Sequence, residues 1–90
     1  ISISDIRQEL NTIGLESLPM ECNIEDLMSH SLIPGIALLK SNHYVIVYDI
    51  DDVGVKVADP AIGCIQPSLE MFASDWYRDN QSKGIFIAIT

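Results

Sequence analysis

Basic residues are scarce in this sequence: five Lys and Arg stand against thirteen Asp and Glu, a formal charge of -8 over 90 residues. A surface of that sign repels a phosphate backbone instead of displacing its counterions, which excludes nucleic acid as the expected partner. Long apolar runs are missing as well. The longest, Tyr44 to Tyr48 and Ile85 to Ile89, have five residues each, against the ~20 of a membrane-spanning helix. Two cysteines, Cys22 and Cys64, are too few for a disulfide scaffold and lack the paired spacing of a zinc site, so a reducing compartment is expected. No repeat, low-complexity tract or glycine-rich phosphate loop occurs. The chain opens at Ile1 with neither Met nor a basic-then-apolar leader, which reads as a domain incomplete at its N-terminus. What remains is 48% apolar, enough for one small core, and residues 1–90 are expected to form a single domain.

Helical signals come first along the chain. Ser2 followed by Asp5 is a helix start, because the hydroxyl accepts an orphan amide and the carboxylate favours the positive end of the dipole. Ile3, Ile6 and Leu10 share one face, and Gly14 stops the helix. Leu15 to Cys22 reads as an extended segment interrupted at Pro19, and Asn23 opens a second short helix with Ile24, Leu27 and Met28 at helical spacing. His30 then falls where it would interact with that helix's C-terminal dipole, a structural role.

Strand signals follow. Ile36 to Leu39, Tyr44 to Ile50 and Val55 to Ala58 are rich in β-branched and aromatic residues, with turn residues at Ser41-Asn42 and Asp51 to Gly54, which predicts an antiparallel meander. Ser68 caps a third helix that buries Leu69, Phe72, Ala73 and Trp76 and leaves Asp75, Arg78 and Asp79 outside. Ile85 to Ile89 is apolar throughout, as in a strand covered on both faces. Helices, a mostly antiparallel sheet, then a helix and a last strand give an α+β fold.

Chemistry is sought first in the hairpin from Tyr44 to Ala58. Burying Val45, Val47, Val55 and Val57 on one face requires odd positions to oppose odd positions, and a turn centred near Asp51 sets Val45 against Val57 and Val47 against Val55. One step outward His43 faces Asp59, within reach for a carboxylate to hold an imidazole nitrogen. A four-residue turn from Asp51 to Gly54 would change the parity and abolish the pairing. An imidazole oriented by a carboxylate is the base-and-orienter half of a nucleophilic triad. The plainer alternative is a solvated His43 and an Asp59 that ends a strand before Pro60 and caps local amides.

Other sites are set aside. Asp49, Asp51, Asp52 and Gly54 begin like a calcium loop, but Val53 occupies a ligand step and Pro60 stands where a closing Glu is needed. A solvated acidic turn is expected, and no metal. Trp76 and Tyr77 suggest an aromatic platform, yet Trp76 shares a helix face with Phe72 and is assigned to the core. Cys22 and Cys64 are expected to be small buried side chains.

The stretch from Ile33 to Gly63, IPGIALLKSNHYVIVYDIDDVGVKVADPAIG, resembles the second half of the bacteriocin-processing cysteine peptidase domain of peptide-exporting ABC transporters. Pro34, the Asn42-His43-Tyr44 step, Asp59-Pro60-Ala61 and Gly63 carry the likeness, which continues through Phe72, Trp76 and Gly84; Ile1 to Leu10 is similar to the short helix that follows the family's nucleophile helix. The resemblance implies a papain-like fold, an antiparallel sheet packed against helices, with His43 as general base and Asp59 as its orienting partner. It further implies leader peptides ending in a double glycine as substrate and the transmembrane and ATPase domains of an exporter as partners. No cofactor is implied for this domain, ATP belonging only to the associated transporter, and the implied location is the cytoplasmic face of the bacterial inner membrane. The family's nucleophilic Cys and the Gln before it lie in an N-terminal segment that precedes Ile1, and neither Cys22 nor Cys64 matches that position. The alternative is a relative without the nucleophile that only binds the export substrate. The family pattern also has a Gly-containing loop and a helix where Thr12 meets Ile13, so a chain break is expected there, marked by a Cα separation well beyond ~3.8 Å.

Overall fold

The computed structural model describes residues 2–78 and 81–90. Helix α1 (Ile3–Thr12) starts as its sequence dictates: the Asp5 amide donates to Ser2 Oγ and the Ser2 amide to Asp5 Oδ2, both at 3.1 Å. Hydrogen bonding continues across the Thr12–Ile13 junction, where the Ile13 amide donates to Leu10 O at 3.2 Å, and Gly14 adopts φ 85°. The helix buries none of its residues fully and leans on one strand, β1 (Ser17–Cys22), to which Arg7 donates through Nε to Ser17 Oγ and through Nη2 to Ser17 O.

Pro19 does not interrupt β1. The strand lies at the edge of the sheet and pairs on one side only, with β6 (Gly84–Ile89), so a residue without an N–H is tolerated there. Helix α2 (Ile24–Met28) carries a reciprocal cap between Asn23 and Asp26, and buries Leu27. The meander follows as β2 (Gly35–Leu38), β3 (Tyr44–Ile50) and β4 (Val55–Asp59), each antiparallel to the next. A short fifth strand, β5 (Gly63–Ile65), pairs with β4; its three residues are exposed and carry no periodic signal. After α3 (Leu69–Trp76), begun by Ser68 Oγ accepting the Met71 amide, the chain returns as β6 between β1 and β2. Among the described residues the sheet thus has six strands in the order β1-β6-β2-β3-β4-β5.

The core lies between one sheet face and the helices α2 and α3. Trp76 is its centre, 5.3 Å from the Phe72 ring and 6.3 Å from that of Phe86, and its indole N–H donates to Ile85 O at 2.8 Å. Gly84 is required beside it, because a Cβ there would come within 2.4 Å of the indole ring. Arg78 departs from its expected outward place: it follows the end of α3, is half-buried, and directs Nη2 at Leu38 O. Asp79 lies outside the described residues.

The expected register of the β3–β4 hairpin is corrected. Asp51 to Gly54 is a four-residue turn, closed by the Asp51 amide to Gly54 O at 3.0 Å, and Ile50 stands opposite Val55. That turn does shift the parity. A β-bulge at Tyr48, between the pairs Asp49↔Lys56 and Val47↔Val57, shifts it back. Val45, Val47, Ile50, Val55 and Val57 are all buried in consequence, with Val47 rather than Val45 opposite Val57.

Candidate active site

The two residues singled out in the sequence meet. His43 Nε2 lies 2.7 Å from Asp59 Oδ1. The contact is made differently from the expected face-to-face pairing. Continuing the Ile46↔Ala58 register by one residue sets Val45 across from Asp59, so His43, two places further out, reaches its partner diagonally. His43 and Asp59 extend the row that contains Val45, Val47 and Val57, which places them at the rim of the core-facing side of the sheet.

Local structure holds each group. The β2–β3 turn is closed by the Leu39 amide to His43 O at 2.9 Å and by the Asn42 amide to Leu39 O, with Asn42 at φ 60°. Asp59 ends β4, and its Oδ1 also accepts the Ala61 amide at 2.8 Å. The plainer reading of Asp59 as a cap for its own turn and the reading as an imidazole partner therefore both hold, on one oxygen. The Ala61 amide is the leading influence that keeps the Asp59 carboxyl below its ordinary range; burial opposes it, and the His43 hydrogen bond adds to it. Asp59 is the more enclosed partner, its side chain 10% exposed against 36% for His43. A carboxylate accepts only, so Nε2 carries the hydrogen and Nδ1 is left as the acceptor of a proton. An imidazole so held has its tautomer set by the carboxylate.

Neither cysteine joins the pair. Cys22 is buried, and its burial pushes the thiol up to about 11, with Asp26 adding to the effect. Cys64 is exposed on β5, contrary to the expectation of a buried side chain. It pairs with Ala58 and therefore shares that residue's face, opposite to the face of Asp59. His30, at φ 63°, directs Nε2 to Ile50 O at 2.8 Å, with Asp49 Oδ1 at 3.7 Å, and ties the end of α2 to β3. In the acidic turn Asp51 Oδ1 accepts the Val53 and Gly54 amides. No group of three or more potential metal ligands converges among the described residues.

The bulge at Tyr48 escaped the sequence reading, whereas an Asp59 capping a local amide was one of its two alternatives. The bulge left a signal. Val45 and Val47 are followed by an apolar residue three places on, Ile50, with Asp49 where strict alternation would bury a side chain.

Comparison with known proteins gives the family and the fold. Residues 1–79 match the Peptidase C39 family, and the chain belongs to it. No curated protein matches it. Its fold is shared with a double-glycine-motif protease from an AMS/PCAT transporter, whose crystal structure contains the leader peptide: the TM-score is 0.83 at 20% identity, over 98% of this chain and 59% of that one. The chain thus spans about three fifths of that relative's length. The α+β class and the antiparallel sheet packed against helices agree with the sequence reading.

Proposed function

We propose that this domain is the peptidase portion of a peptide exporter, cutting leader peptides after a double glycine. The supporting observation is the 2.7 Å contact between His43 Nε2 and Asp59 Oδ1 in a chain of the C39 family. The reading requires a nucleophilic cysteine other than Cys22, which is buried, and Cys64, which sits on the opposite face from Asp59. His43 Nδ1 takes the thiol proton, and the thiolate attacks the carbonyl carbon of the second glycine. The resulting tetrahedral oxyanion collapses, the C–N bond breaks, and the imidazolium gives its proton to the leaving amine. Water, deprotonated by the same nitrogen, then attacks the thioester; the C–S bond breaks and the thiol is restored. Asp59 stays ionised throughout and stabilises the imidazolium. Glycines suit a narrow cleft because they present no Cβ.

The structure of the leader-bound relative supports the substrate class. Partners follow from the same reading: the transmembrane and ATPase domains of the exporter, with the peptidase domain at the cytoplasmic face of the inner membrane. No helix among the described residues is long and apolar enough to cross a membrane. The test is cleavage of a double-glycine leader peptide by the full-length protein, with the products identified by mass. Cleavage after the second glycine that is lost in a His43→Ala variant is the expected result. Tight binding of the uncut peptide by both proteins would instead establish a substrate-holding module and overturn the peptidase reading.

A further inference from the structure

Asp59 serves two donors with one oxygen. Oδ1 meets His43 Nε2 at 2.7 Å and accepts the Ala61 amide at 2.8 Å. A carboxylate turns about its last side-chain bond with little hindrance, and a quarter-turn carries both oxygens off the line to the ring nitrogen. A ring held by a single oxygen follows that motion unless something else stops it. The Ala61 amide is well placed to do so, since it belongs to the backbone. Pro60 fixes one dihedral just before it, and the Ile62 amide closes the turn onto Asp59 O at 3.3 Å.

We propose that the Ala61 main-chain N–H is a positioning group for the candidate base: it pins Asp59 Oδ1 so that the carboxylate keeps His43 in its Nε2–H form, with Nδ1 ready to take a proton. The proposal rests on the peptidase reading for its purpose, and on the two hydrogen bonds alone for its geometry. The same amide leads among the influences that keep Asp59 ionised. Two opposite effects follow from one hydrogen bond. By drawing charge from the carboxylate the amide weakens its hold on the imidazolium; by fixing the carboxylate it strengthens that hold. Orientation dominates here, because a carboxylate turned away offers His43 no short contact at all.

The two effects have opposite signs, so one measurement separates them. In the full-length protein, L-lactic acid is placed at position 61 by nonsense suppression, which replaces the N–H by an ester oxygen and keeps the methyl group. By NMR of the ring nitrogens, the Nδ1–H form of the neutral His43 ring is expected to gain population at the expense of the Nε2–H form, and cleavage to slow. An unchanged population, or a gain in the Nε2–H form, overturns the proposal. A second ester, at Ile62, removes the donor that closes the turn onto Asp59 O, which is also the last of the influences on the Asp59 carboxyl, and leaves the Ala61 contact with Oδ1 in place. It is expected to change the population less than the ester at 61 does; equal changes from both esters would show that only the turn's integrity counts, which also overturns it. Because the ring is observed without substrate, a protein that cleaves nothing but shows the change refutes the peptidase reading alone, and cleavage with an unchanged population refutes the role of Ala61 alone.

Discussion

Val47 lies opposite Val57, and past the bulge at Tyr48 Ile50 lies opposite Val55. Those two pairs fix where β4 delivers its last residue, Asp59, relative to the first residues of β3. The diagonal reach of His43 to Asp59 is the outcome, so the candidate chemistry depends on a pairing pattern set some four residues inside the sheet.

Loss of the carboxylate should therefore act through the ring. In an Asp59→Ala variant His43 remains, but nothing selects its Nε2–H form or stabilises the imidazolium. Turnover of a double-glycine peptide is expected to fall by about a hundred- to ten-thousandfold, with the smaller change in KM. Steady-state kinetics on the full-length protein decide it; a tenfold loss or less would assign Asp59 to the turn and leave the base unaided.

The same carboxyl makes stability depend on pH in a defined direction. Its pKa in the folded chain is depressed below the ordinary value of 3.8, chiefly by the Ala61 amide and then, against the opposing effect of burial, by His43. A depressed carboxyl stabilises the fold fully above the ordinary value, and that contribution disappears as pH falls through the lower, folded value. Urea midpoints of the natural chain and of Asp59→Ala should differ most near neutrality and converge below about pH 4. A gap of constant width down to pH 3 would contradict the depressed value.

Thiol labelling should separate the two cysteines. Cys64 is exposed on β5, whereas Cys22 is buried with its thiol pushed up to about 11. Only thiolate reacts, so iodoacetamide at pH 8 is expected to modify Cys64 in the folded protein and Cys22 only after denaturation. Peptide mass mapping reads the sites. A His43→Ala change should leave the Cys64 rate as it was, since that side chain occupies the other face of the sheet.

Core packing gives a fourth expectation. A methyl group at position 84 would enter the space of the Trp76 ring, and Trp76 cannot withdraw without breaking its bond to Ile85 O. Gly84→Ala should cost about 1–3 kcal/mol, measured by equilibrium denaturation, with the indole fluorescence changed in the native state. A neutral result would mean that β6 can move away from α3.

Much of this was legible in the sequence for physical reasons that differ by residue. Ser2, Asn23 and Ser68 announced three helices because a short polar side chain satisfies an orphan amide, and all three do so. Phe72 and Trp76 announced a core face by spacing. His43 and Asp59 were brought together by a parity argument whose register was displaced by two places; the contact survived because a four-residue turn and a bulge each shift the parity once. Insertion of β6 between β1 and β2 could not be read, since a uniformly apolar strand states that it is covered and not by what. β5 was missed because three exposed residues carry no period. That Asp59 caps an amide of its own turn was legible as one of two alternatives; that one oxygen serves both the amide and His43 was not.

The margins of the sheet carry a last consequence. On one side β1 holds Pro19, which has no hydrogen to offer a newcomer; on the other β5 presents only three residues before Pro67 follows. An intruding chain would find few docking points along either border. One residue without an amide hydrogen on β1 and the shortness of β5 in this way limit the main-chain template that the sheet offers to another copy.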